Sequence, residues 1–124
     1  MTIVLSDYSG LINTIILLYM HLIYITFPKK DEAIKIISRL VKDRVVACAN
    51  IYDGITSIYE WEGEVQQNQE VTAICKVPDN GVDKAIAKFT KAHPYACPCI
   101  VSVKVEKSNE DFLKWVENYN KVDY

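Results

Sequence analysis

The sequence lacks a basic surplus: 14 lysines and arginines stand against 16 aspartates and glutamates, a formal net charge of −2. A surface that tracks a phosphate backbone needs clustered cations, so no nucleic acid is expected as a partner. Internal repeats and low-complexity linkers are also missing, and 124 residues make one domain, long enough to bury a core without staples. Cysteines are few: Cys48, Cys75, Cys97 and Cys99. A disulfide framework belongs to small secreted domains that cannot build a core, and three of these cysteines sit in apolar, β-rich runs. They read as reduced thiols of a cytoplasmic protein.

A membrane span is missing too. The apolar run over residues 11–27 is shorter than the roughly 20 residues a spanning helix needs, and it contains Asn13, Thr14 and His21. No lysine or arginine precedes Lys29, where a signal peptide would have a basic start. No membrane partner is therefore expected. The end of the run, HLIYITF followed by PKKDEA, reads as a strand entering a helix. Residues 1–19 are set apart as an amino-terminal extension. Leu11, Ile12, Ile15, Ile16, Leu18 and Tyr19 form an apolar cluster that suits a short docked helix. The domain proper covers residues 20–124, with Met20 as a natural start.

What is present is an alternation of strand and helix patterns. Residues 23–27 are β-branched and aromatic, the composition of a strand, and Pro28 ends it. Asp31 is placed to favour a helix start, and Ile36, Ile37, Leu40 and Val41 then recur at helical spacing, with Lys35, Arg39 and Lys42 facing elsewhere. Residues 45–52 are strand again. Asp53-Gly54 is a strong hairpin signal, yet strand character continues through ITSIYEWEGEV, and Glu62-Gly63 offers a second turn. Local propensity leaves both turns open. Residues 71–77 form the return strand. Asp79 is placed as the N-cap of a second helix, with Val82, Ile86 and Phe89 on one face and His93-Pro94 as its stop. Residues 99–105 form the next strand. Ser108, Asn109, Glu110 and Asp111 resemble a capping box before a helix lined by Phe112, Trp115, Val116 and Tyr119. The order predicts an α+β, ferredoxin-like βαββαβ sandwich with a C-terminal helix and its helices on one sheet face. Tyr52, Ile58, Ile74 and Ile100 are too apolar to leave the other face wet, so subunits are expected to associate.

The stretch HPYACPC, residues 93–99, concentrates the candidate chemistry. Two thiols and an imidazole are a donor set for Cu(I) or zinc, because soft sulfur ligands select such ions. The competing reading is strand geometry: Cys97, Cys99, Val101, Val103 and Val105 alternate onto one face, as buried core residues would. Cys75 shares a face with Val71, Ala73 and Val77 and is expected in the core. A nucleophilic enzyme is not expected, since Cys97 has no acidic neighbour to orient His93. Acylphosphatase chemistry on the same fold needs an arginine in a glycine-containing loop after the first strand, where this chain has ITFPKK.

Five blocks, ITFPKKDEA, RVVACANIYDGITSIYEWEGEV, EVTAICKV, HPYACPCIV and EDFLKWV, together resemble the CutA divalent-cation tolerance family from about Ile23 to Val116. The most specific positions are Ala47, Cys48, Asn50 and Ile51, followed by Gly54, Ser57, Tyr59, Trp61, Glu62 and Gly63. The resemblance implies a compact homotrimer similar to the nitrogen-regulatory PII trimers, with a long hairpin arm bent at Gly54 and turned near Trp61-Glu62-Gly63. It also implies a non-enzymatic role in tolerance to copper and other divalent ions. The alternative it leaves is a PII-like signalling trimer that binds a small anionic ligand in its intersubunit cleft.

The cleft candidates that follow are Tyr59, Trp61, Glu70, Lys76, His93 and Tyr95, with Tyr59 and Trp61 also suited to be interface anchors. Glu70 and Lys76 are placed to pair across the cleft, and His93 either lines it beside Tyr95 or only stops the second helix. The metal candidates are Cys48, His93, Cys97 and Cys99. Cys48 matches a family cysteine linked to copper, whereas the first-strand cysteine of some members is Ile25 here. Family members usually have acidic residues where this chain has Ala96 and Cys99, an exchange that favours a soft ion such as copper.

Overall fold

The computed structural model describes residues 2–6, 13–17 and 19–119. In the described part of the amino-terminal extension, strands β1 (Thr2–Ser6) and β2 (Asn13–Leu17) pair antiparallel, Thr2 opposite Leu17 and Ser6 opposite Asn13. The expected short helix is thus corrected where Ile15 and Ile16 are concerned. β-branched residues lose side-chain freedom in a helix and fit a pleated strand, and both strands are rich in them. Leu11, Ile12 and Leu18 lie outside the described residues.

The main sheet has four antiparallel strands in the order β4-β5-β3-β6, namely β3 (Met20–Phe27), β4 (Cys48–Trp61), β5 (Glu64–Pro78) and β6 (Ile100–Lys104). Helices α1 (Lys30–Lys42), α2 (Val82–Ala92) and α3 (Glu110–Tyr119) complete the α+β fold. Ile23, Ile25 and Phe27 of β3 pair with Cys75, Ala73 and Val71 of β5, and all six are buried beneath α1 and α2. Ala33, Ile37 and Leu40 of α1 and Val82, Ala85 and Phe89 of α2 close that core. Burying a side chain such as Phe27 contributes ~1.5–3 kcal/mol. A second cluster joins Met20 and Ala47 to Leu113 and Val116 of α3.

The two candidate turns are resolved in favour of the later one. β4 and β5 form a long hairpin closed by Glu62 and Gly63, both with positive φ (52° and 81°), the backbone that suits a two-residue hairpin. At Asp53-Gly54 the register shifts between Tyr52 and Ile55, and Gly54 (φ 75°) supplies the bulge that bends the arm. Asp79 is not an N-cap: a short 3-10 turn (Asp79–Gly81) precedes α2, and the Asp79 carboxylate bonds His21 Nε2 at 2.6 Å instead. Of the C-terminal residues expected to pack, Val116 is buried and Phe112 and Tyr119 partly so. Trp115 stays exposed, stacked between those two rings.

Candidate functional site

One face of the main sheet is covered by helices and the other is open. Strand alternation puts Leu22 and Tyr24 of β3, Ile74 of β5 and Val101 and Val103 of β6 on the open face, where the two valines are 49% and 57% exposed. The expected apolar set is partly corrected. Tyr52 and Ile74 lie on this face, Ile58 lies on the arm, and Ile100 turns the other way to pack against the core.

At the end of this face near the arm is a hollow of about 820 Å³. The bend at Gly54 carries Ile55, Ser57 and Tyr59 over one side, facing Asn68 and Glu70 of β5. Tyr24 and Thr26 supply β3's part of the wall, and Tyr95, Cys97 and Cys99 reach it from the segment between α2 and β6. Tyr95 donates its hydroxyl proton to Glu70 Oε2 at 2.8 Å, and Asn68 Nδ2 donates to the Tyr59 hydroxyl. Partial burial, and then the Glu70 carboxylate, push the Tyr95 phenol up to about 12, so it stays a neutral donor. Among the described residues, Glu70 is the one charged side chain lining the hollow.

His93 lies beneath this hollow rather than in it. Its ring is buried and stacks on Phe27 with centroids 4.9 Å apart. The Tyr95 backbone N–H donates to Nδ1 at 3.1 Å, which leaves the ring proton on Nε2, donated to the Thr26 carbonyl at 2.6 Å. Both nitrogens are thus engaged within the chain, and the ring supports Tyr95. Lys76 does not reach Glu70. It bonds Asn50 Oδ1 at the other end of the open face, and Tyr95 takes its place as Glu70's partner. Trp61 is 64% exposed at the tip of the arm, away from the hollow.

The four cysteines divide into two pairs. Cys75 is fully buried and its thiol is pushed up to about 12 by that burial, while the half-buried Cys48 is raised in the same direction with Lys76 opposing. Cys97 and Cys99 are exposed and free, so the buried-strand reading of these two is corrected. Cys99, Val101 and Val103 do share one face, but it is the open face, and Val105 leaves it to pack beside Met20 and Leu113. Cys48 on β4 is three strands from β6, at ~4.8 Å per strand spacing, and further displaced along the strands. That is on the order of 20 Å from Cys99. One ion cannot be held by Cys48 and the Cys97–Cys99 pair of the same chain. Among the described residues no three His, Cys, Asp or Glu side chains converge as a metal site. The donor set that remains is the two exposed thiols, which fits a soft ion and not a hard one.

Tyr24, Thr26 and Asn68 were not singled out by sequence, and Ser57 was named only as a position that carries the family resemblance. Only the strand register shows them to be neighbours, although the alternation of residues 22, 24 and 26 was a readable signal. Among the described residues no helix is long and apolar enough to cross a membrane.

Comparison with known proteins agrees with this architecture. A family model described as CutA1 divalent ion tolerance protein matches residues 21–119. The divalent-cation tolerance protein CutA of Pyrococcus horikoshii is 36% identical over 97 residues, covering 78% of this chain and 94% of that protein. The chloroplastic protein CutA of Arabidopsis thaliana is 29% identical over 77% of this chain and 53% of its own length. The crystal structure of CutA1 from Ehrlichia chaffeensis superposes with a TM-score of 0.81 at 33% identity, covering 85% of this chain and 98% of that one. A protein from Archaeoglobus fulgidus described as periplasmic gives 0.77 at 31% identity, covering 82% and 98%. The chain therefore belongs to the CutA1 divalent ion tolerance family.

Proposed function

We propose that the chain is a ferredoxin-like subunit of a cytoplasmic homotrimer that acts in copper-type cation tolerance without catalysing a reaction. A single feature carries this reading: one sheet face that is apolar along β3, β5 and β6 and ends in a hollow lined by a carboxylate and two thiols. Uncovered apolar area of this kind marks an association surface. A neighbouring copy seated on it would close the hollow into an intersubunit cleft.

The charge in the hollow favours a cation. Glu70 lines it and, among the described residues, no lysine or arginine does, which favours a cation over a PII-like anionic ligand there. Copper enters as substrate of the tolerance function. Thiolates select it as Cu(I), and Cys97 and Cys99 are the donors in reach. A cysteine-nucleophile reaction would need His93 as a base, and its two nitrogens are already held by Tyr95 and Thr26.

Two measurements test the reading. Sedimentation equilibrium should give the mass of three copies, and a monomer at micromolar concentration would overturn the assembly. Anaerobic titration of the reduced protein with Cu(I) against a competing chelator should show binding that survives Cys48→Ser and is lost in Cys97→Ser/Cys99→Ser. Wild-type protein that never competes with the chelator removes the thiol site.

A further inference from the structure

Cys97 and Cys99 have a property that metal capture does not use: they are an exposed pair of free thiols in a chain whose other two cysteines are half-buried or buried. Both are exposed, free and line the same hollow, one residue apart across Pro98. They precede β6, whose first residue is Ile100, and neither has a partner in the register of that strand with β3. The backbone bends at Cys97, so the pair does not sit in fully extended chain, where residues i and i+2 are ~6.6 Å apart. A turn over Pro98 that brings the Cβ atoms within about 4.5 Å puts the sulfurs in bonding range. Burial protects Cys48 and Cys75 from the same chemistry, since the thiolate is the attacking form and burial disfavours it.

We propose that Cys97 and Cys99 form a reversible intrachain disulfide that closes this site under oxidising conditions. The oxidant class is a low-molecular-weight disulfide such as oxidised glutathione. One thiolate attacks its S–S bond, forming a mixed disulfide and releasing one reduced glutathione. The second thiolate then attacks the protein sulfur of that mixed disulfide and releases the second glutathione. The protein loses two protons and two electrons, and the oxidant becomes two thiols. A ring closed over a single intervening residue is strained, and strained, exposed disulfides are the readily reduced kind, so the step reverses as the thiol pool recovers. With the bond formed, neither sulfur is a thiolate donor, and a soft cation loses the only thiols of the hollow. This deepens the cation-site reading above, but the disulfide itself does not depend on that reading.

The test equilibrates the full-length protein in glutathione buffers of increasing oxidised fraction, followed by acid quench, alkylation and intact-mass and peptide analysis. The expected result is one step in which the mass falls by two hydrogen atoms, with Cys97 and Cys99 unalkylated and Cys48 and Cys75 labelled after unfolding. Cys97→Ser should replace that step with a single glutathione adduct at Cys99. Separate glutathione adducts on both wild-type cysteines, bonds between chains, or a dithiol that stays reduced where free glutathione is half oxidised would each overturn the proposal. A silver(I) titration of reduced and oxidised samples separates the two readings. Failure of the reduced sample to bind condemns the cation site and leaves the disulfide result standing. Equal binding before and after oxidation condemns the closure.

Discussion

The two faces of the main sheet are built from the same strands and both carry apolar residues, yet only one is covered by helices of the chain. Under α1 and α2, Ile23, Ile25, Phe27, Val71, Ala73, Cys75 and Val77 are buried. On the reverse, Tyr24, Val101 and Val103 remain exposed around Leu22 and Ile74. Hydropathy therefore says that a strand residue wants cover without saying what covers it. The difference also sorts the cysteines: Cys75 is silent core, whereas Cys97 and Cys99 on the open side are available for chemistry.

The largest test of this contrast is a truncation on the covered face. Ile25→Ala should cost ~2–5 kcal/mol in chemical denaturation, because the cavity beneath α1 cannot collapse fully. Val103→Ala on the open face should change the stability of the separated subunit by no more than about 0.5 kcal/mol, and should weaken the proposed assembly instead. If both substitutions unfold the subunit equally, the two faces are not distinct in the way drawn here. Val101→Glu sharpens the point: sedimentation should show dissociated, folded subunits, since a carboxylate buried in an apolar interface is unpaired.

Smaller effects belong to the arm and the hollow. Gly63→Ala should destabilise by ~1 kcal/mol, because a side chain is strained at φ 81° even though space around the position is open. The smallest effect is a pH dependence. The Tyr95 phenol lies at about 12 in the fold against 10.0 in the unfolded chain. Its contribution to stability is fully present below pH 10 and is lost as pH rises from about 10 to about 12. Tyr95→Phe should flatten that segment of the stability–pH curve, and an unchanged curve would detach Tyr95 from Glu70.

Much of the fold was legible because the periods are clean. The 3.6-residue rhythm of α1 and α2 and the β-branched runs of β3 and β5 fixed element type and order. Asp79 was misread because an N-cap signal is local, whereas its carboxylate is taken by His21, 58 residues away in sequence. Residues 13–17 were misread because an apolar run too short for a clear period fits a helix or a strand equally well. The site was half legible. Tyr59, Glu70 and Tyr95, expected at a cleft between subunits, line one hollow of this chain, while His93 and Lys76 do not line it.

The amino-acid sequence by itself determined the order of strands and helices beyond residue 19 and the concentration of chemistry between His93 and Cys99, and its family resemblance pointed to the turn at Glu62-Gly63. These follow from local geometry and from residues whose spacing is readable along the chain. Only the tertiary structure decided that Glu70 bonds Tyr95 rather than Lys76, that the His93 ring is buried between Thr26 and Tyr95, and that Cys97 and Cys99 face outward. Those outcomes depend on strand register and on which sheet face the helices cover, and neither is encoded in any single stretch of sequence.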